Sequence, residues 1–398
     1  MSIWRWADLI DFVPEHARIT LGEGQTPLVR SRRIGPEAGL KNLYFKLDFV
    51  SPTASYKDRF AAATVSHMVA AGKTRCIATS SGNTGASLAA YCAAAGIQCL
   101  IAIVEGAPLG KLQQMLCYGA KLYRIRGFGA DAAISSAVFD LIMKWGSEPD
   151  AAVQVSSYKY SAPGMTGVET VAFDLAEQVS FSIDHLFCPA GGGGLAVAAA
   201  RGFRKLVERG VLAKSPAVEV VQPEGNDTMA TPLRDGHAQA REVTSTTRIS
   251  GLQVPTVNDG HWAVTECRAS GGSGHVVTDA EVWETQRRLA RDEGIFTEPA
   301  GAVALAGAMR AAREHRLPPD AHIICMITGS GFKDPRSVEE AVAATAGAPL
   351  VSLEEFAQMG NASRYAAEQL SLSVDLAHAA KLSPAPQEWF DGDEPKPF

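Results

Sequence analysis

Short apolar runs alternate along this chain with longer segments in which apolar residues recur at helical spacing. The runs at 43–48, 75–79, 97–104, 121–125, 152–155, 183–188, 217–221 and 322–328 are rich in branched and aromatic residues and predict strands. Segments 57–71, 86–95, 111–118, 130–145, 166–178, 195–209, 279–293 and 300–314 predict helices. Gly72, Gly96 and Gly119 stand where three of these would stop. Strand–helix–strand alternation makes neighbouring strands parallel and covers the sheets with helices, which is an α/β class. The run 323–327 is apolar without interruption, the pattern of a parallel strand buried on both faces. Segment 226–248 is polar and aperiodic and reads as a long excursion or a mobile flap. Residues 353–378 suit one or two surface helices, and the Pro- and acid-rich end at 383–398 is expected to be loosely ordered.

A chain of 398 residues holds two or three domains. Its 46% hydrophobic content is enough to build their cores, which excludes disorder of the whole chain. A net charge of -6 without a basic block argues against nucleic acid or a membrane surface as partner. No apolar run reaches the roughly 18 residues of a membrane span. Asp8 and Asp11 interrupt the apolar N-terminus, so it does not read as a signal peptide. The 7 cysteines are odd in number and form no C-x-x-C pair, so they read as reduced core thiols of a cytoplasmic protein. The histidines show no H-E-x-x-H spacing, and no metal site is expected.

Four motifs carry chemistry. SPTASYKDRF at 51–60 puts Lys57 at a helix start after a turn of small residues. Alone, such a lysine is a solvated charge; after a tight turn it suits a side chain aimed into a cleft. TSSGNTGAS at 79–87 is a strand end, a polar turn and a helix start. Free N–H groups and hydroxyls there bind a carboxylate or phosphate, although a plain N-cap would read similarly. CPAGGGGLAVAAA at 188–200 places four glycines between strand and helix, a backbone nest for phosphate, with a tight βα turn as the structural alternative. It has neither the G-x-G-x-x-G spacing of a dinucleotide site nor the G-K-[ST] of a P-loop. MITGSGFKDP at 326–335 delivers Thr328 to a strand's C-terminal end, where ligands of open α/β sheets sit; alone, a simple strand-to-loop turn is the better reading. A lysine, a phosphate nest, a carboxylate turn and a strand-end hydroxyl are together the parts of a pyridoxal phosphate site.

With these motifs the chain resembles the fold type II pyridoxal phosphate enzymes, and within them most the threonine synthases. The likeness covers about 21–335. GEGQTPL at 22–28, GKLQQMLCYGAKL at 110–122, EGIFTEPAGA at 293–302 and TGSGFKDP at 328–335 carry it in order and spacing. It implies two open, mainly parallel α/β domains, like those of the tryptophan synthase β-subunit, with the cofactor in the cleft between them. The small domain would be 60–155, the large one 1–59 with 156–345, and 346–398 a partly helical extension. A homodimer is implied on the same basis. By resemblance Lys57 forms the Schiff base and is later the Cα base. Asn83 contacts the pyridine 3-oxygen, Gly191, Gly192, Gly193 and Gly194 hold the phosphate, and Thr328 faces the pyridine nitrogen. Ser81, Asn83 and Thr84 receive the carboxylate of an amino-acid substrate.

The sequence also departs from the threonine synthases. Their segment N-S-x-N-P-x-R-x-x-G-Q-K-T corresponds here to SSYKYSAPGMTGVET at 156–170, with Gly164 at the arginine and Ser161 at the second asparagine. Lys159, Tyr158 or Tyr160 would have to compensate for the missing phosphate ligand. Gly192 replaces an asparagine, so the glycine loop resembles that of serine/threonine dehydratases. Ala54, Tyr56 and Phe60 stand where Gly, Phe and Gly are usual. The function implied is a lyase or synthase that eliminates a β- or γ-leaving group, O-phosphohomoserine to threonine being one version. The alternatives are an amino-acid dehydratase or β-replacement synthase and, in another class, a non-catalytic binding protein of the same fold.

Overall fold

The computed structural model describes residues 2–107, 109–343, 347–348 and 350–362. Ten strands among them form two sheets. In chain order these are β1 (Leu28–Arg30), β2 (Asn42–Leu47), β3 (Arg75–Thr79), β4 (Gln98–Val104) and β5 (Lys121–Ile125). There follow β6 (Ala151–Gln154), β7 (His185–Pro189), β8 (Ala217–Pro223), β9 (Gly274–Val277) and β10 (His322–Ile327). The larger sheet runs β1-β2-β10-β7-β8-β9, with β1 alone antiparallel to its neighbour. The smaller runs β5-β4-β3-β6 and is parallel throughout. Both sheets lie in one compact unit, Met1–Ala343. Of the second unit, Ala344–Phe398, the described part holds a helix, Leu353–Ala362. The expected helices beyond it and the acidic end lie outside the described residues. No described helix is long and apolar enough to cross a membrane.

β10 shows why the large sheet forms. Its alternate residues Ile323, Cys325 and Ile327 pack with Val303 and Ala306 of the Pro299–Arg313 helix. Ile324 and Met326 face the other way, into a core with Ala196 and Val197 of the Gly194–Glu208 helix. Both faces are covered, so the strand carries no polar alternation.

Several expectations need correction. β1, β9 and the Gly260–Ala269 helix were not anticipated: the strands are short, and one opens with glycine. The helix expected at 166–178 begins at Tyr158 and breaks at Ser161 (φ -140°, ψ 52°), just ahead of Pro163. Ser157 caps its first turn and Pro163 restarts it. The excursion at 226–248 is not a free flap. The buried amide of Gln222 accepts the N–H groups of Met229 (2.8 Å) and Ala230 (2.9 Å) and donates to Thr228, pinning its start to β8.

The Lys57–Ala70 helix crosses the Tyr158–Gln178 helix so closely that a Cβ on Gly167 would lie 2.3 Å from the Arg59 carbonyl oxygen. Arg59 itself is fully buried at this seam. It bonds Asp48 through two nitrogens at 2.9 Å each, Asp174 at 2.8 Å and Thr170 at 2.8 Å. Its guanidinium holds the Asp48 carboxyl below the ordinary range against a large opposing effect of burial. Arg59→Met leaves both carboxylates in the interior without their bonded cation. It is expected to cost about 3–5 kcal/mol in denaturant unfolding, far more than a surface pair would.

Candidate active site

The SPTASYK turn is held against the C-terminal end of β10. The Tyr56 N–H donates to the Thr328 carbonyl (3.0 Å), and Ser55 pairs with Gly329. The turn puts Ala54 in the left-handed region (φ 66°), where glycine is free of the Cβ clash and alanine is not. Two bonds hold it there: its N–H donates to the Ser51 carbonyl (2.8 Å), and its carbonyl accepts from Ser330 N–H (3.0 Å). Lys57 then opens its helix half-buried. Its Nζ donates to Tyr56 Oη (2.7 Å) and to Ser156 Oγ (2.8 Å). The neighbouring Ser55 hydroxyl is fully buried without a hydrogen-bond partner.

Ser156 connects the amine to the glycine loop. Its carbonyl oxygen lies 3.5 Å from where a Cβ on Gly194 would stand. That Cβ would also meet Met165 Cε at 2.8 Å and Asp259 Oδ2 at 3.0 Å, and one on Gly191 would meet the Gly251 carbonyl at 3.1 Å. Gly193 has φ 96°. The loop therefore admits only glycine at its tightest points. The amides of Gly191, Gly192 and Gly193 donate to no acceptor among the described residues. They precede the 15-residue Gly194–Glu208 helix, whose positive end they extend.

The polar turn at 80–82 leads into the Asn83–Ala95 helix. Ser81, Asn83 and Thr84 stand together, half-buried, at its first turn. Asn83 Nδ2 donates to Glu298 Oε1 at 2.8 Å. Glu298 presses on Gly329, next to Thr328: a Cβ on Gly329 would stand 2.1 Å from Glu298 Oε1 and 3.1 Å from Asn83 Nδ2. Burial pushes the Glu298 carboxyl up to about 7, against the lowering effects of the Asn83 bond, Lys111 and Lys333. Asp58, beside Lys57, is likewise raised by burial to about 6, although Thr53 and Ser87 bond it. Burial lowers the Lys333 ammonium, which donates to Gln114. Lys111 pairs with Asp334 at 3.0 Å.

Lys57 thus meets the glycine loop through Ser156, and Asn83 meets Glu298 at Gly329, the residue after Thr328; Ser81 and Thr84 flank Asn83 in sequence. Lys159 does not join them: it is exposed, with its Nζ over the Tyr160 ring at 5.4 Å. Tyr158 is buried and donates to Glu169. Sequence reasoning missed Tyr56, Ser156 and Glu298 as members. Glu298 had a signal, an acid before Pro299 at a helix start, but Ser156 had none. The arrangement fits pyridoxal phosphate. It offers an amine, three unengaged amides in a loop that a Cβ would fill, a buried orphan hydroxyl and polar groups at a second helix start.

Residues 19–329 match the family model described as pyridoxal-phosphate dependent enzyme. Threonine synthase of Methanocaldococcus jannaschii is 31% identical over 341 residues, covering 84% of this chain and 81% of that protein. Threonine synthase of Synechocystis sp. is 33% identical over 343 residues, covering 84% and 85%. Among solved structures, threonine deaminase isoform 2 of Solanum lycopersicum superposes with a TM-score of 0.67 at 18% identity, covering 86% of this chain and 93% of its own. Maize serine racemase gives 0.63 at 23% identity, covering 84% and 91%. These two likenesses establish the fold.

Glu298 links the site to stability. Folded, it keeps its proton to about pH 7; unfolded, it loses it near 4.5. Between those values the folded chain binds the extra proton, so its stability falls as pH rises. Glu298→Gln removes the titration and keeps an acceptor for Asn83. Below pH 4 the two proteins should behave alike. Between pH 4.5 and 7.5 the wild type should lose up to about 3 kcal/mol relative to the variant in urea unfolding.

Proposed function

The chain belongs to the fold type II pyridoxal-phosphate-dependent enzymes and is threonine-synthase-like, and we propose that it removes a β- or γ-leaving group from an α-amino acid. One observation carries this reading: the Lys57 amine is held at Ser156, against a glycine loop with three unengaged amides. When bound, the cofactor links to amines and draws electron density away from Cα. Lys57 supplies the amine for that link and, once displaced, takes the Cα proton at Nζ. The amides of Gly191, Gly192 and Gly193 and the helix behind them receive the phosphate. Ser81, Asn83 and Thr84 orient the substrate carboxylate at a second helix N-terminus. Thr328 offers the ring nitrogen a neutral hydroxyl. Unlike a carboxylate, it does not favour a proton there, which suits elimination and replacement over transamination.

A second reading, elimination from a substrate without phosphate, is favoured by Gly164. A Cβ there would lie 2.6 Å from both Thr64 Cβ and Oγ1 and 2.9 Å from Phe60 Cε2. The place where the resemblance expects an arginine is packed shut, and Lys159 is exposed.

The test is to give the cofactor-loaded enzyme O-phospho-L-homoserine, L-threonine and L-serine separately. Phosphate together with threonine supports the first version. A 2-oxo acid with ammonia, from threonine or serine, supports the second. Lys57→Ala should lower whichever turnover is found by about 10³-fold. An enzyme inert on all three, with its cofactor bound, overturns both.

A further inference from the structure

We propose that Tyr56 is a positioning residue for the Lys57 amine, a role that rests on the reading of Lys57 given above. The residue before the lysine is a phenol, and its Oη lies 2.7 Å from Nζ. The ring cannot drift away with its backbone. The Tyr56 N–H is tied to the Thr328 carbonyl, and the turn before it is held at Ala54 by bonds to Ser51 and Ser330. Lys57 has no carboxylate partner among the described residues. The buried acids of the two neighbouring elements bond elsewhere, Asp58 to Thr53 and Glu298 to Asn83. Two hydroxyls, Tyr56 Oη and Ser156 Oγ, therefore receive two of the three N–H bonds of the ammonium. Ser156 fixes the amine on the glycine-loop side. Tyr56 fixes it from its own helix start. Removing Tyr56 Oη leaves a long, flexible side chain held at one point only.

The phenol has a further capacity. It accepts from Nζ, and its own O–H donates to no described protein group. That proton is available to an oxygen that Nζ attacks. In the attachment step the ammonium first gives one proton to water, and the free amine Nζ then adds to the cofactor aldehyde, forming a C–N bond. Two protons pass from nitrogen to the carbonyl oxygen, which leaves as water as C=N forms. A hydroxyl bridging nitrogen and oxygen shortens that transfer. No oxidant or further reactant is needed.

The experiment compares wild type with Tyr56→Phe, which keeps the ring and removes only the oxygen. Each apoprotein is mixed with pyridoxal 5'-phosphate and the rise of its visible absorption is timed. Borohydride reduction and peptide mass mapping then locate the attachment. The variant should attach the cofactor at Lys57, to the same final content and with the same melting temperature, about 10-fold more slowly, as expected for one lost hydrogen bond to a charged group. An attachment rate within twofold of wild type overturns the role of Tyr56 and leaves Lys57 in place. A lower melting temperature with an unchanged rate assigns Tyr56 to packing and also overturns it. Attachment mapped elsewhere in wild type overturns the reading of Lys57 itself.

Discussion

The buried guanidinium of Arg59 is the constraint on which the site depends. It sits in the first turn of the helix that Lys57 opens, with no exposed surface. Its carboxylate partners come from the end of the large sheet at Asp48 and from the crossing helix at Asp174. Asp174 also accepts the Trp6 indole N–H (2.9 Å) and the Gln25 amide (2.8 Å), so the N-terminal segment is drawn into the same cluster. A charge without solvent is tolerable only when its partners stay in place. That requirement fixes where the helix starts and hence where the Lys57 side chain begins. Lys46 adds to the cost. Burial brings its ammonium down to about 8, and it is satisfied by the Thr26 carbonyl and Gln178.

What the sequence made legible follows from range. Strands such as β3 and β5 were readable residue for residue, because their apolar character is local. The glycine loop was readable because four consecutive glycines have few structural explanations. Lys57 and Thr328 were readable only in combination with the other motifs, since a lysine after a turn or a threonine at a strand end is alone ordinary. The contacts that turn these parts into a site were not. Lys57 meets Ser156 across 99 residues, and Asn83 meets Glu298 across 215. No spacing rule encodes such pairings. Lys159 shows the same limit of range: it lies exposed in the first turn of the Tyr158–Gln178 helix, with its Nζ over the Tyr160 ring.

The electrostatics follow from how little ionic charge faces the amine. Its partners are hydroxyls, and the buried acids Asp58 and Glu298 are raised by burial and so hold their protons to higher pH than exposed ones would. Two helix N-termini, at Asn83 and Gly194, supply positive potential instead. Such a site suits two anions, one at each helix start, without an ion pair competing for the lysine.

A third anion is harder to place. The lysines nearest Glu298 are engaged, Lys111 with Asp334 and Lys333 with Gln114. The arginine expected at 164 is excluded by the seam between the Lys57–Ala70 and Tyr158–Gln178 helices, where Phe60 and Thr64 leave no room for even a Cβ. Restoring an arginine there would require those two side chains to shrink or the helices to part. Parting them would disturb the neighbouring turn, where Gly167 lies against the carbonyl of Arg59. The size of residue 164 is thus bound to the packing that holds Lys57 in place. A larger residue at Gly164 would have to come with smaller ones at Phe60 and Thr64, because a Cβ added there alone overpacks the seam.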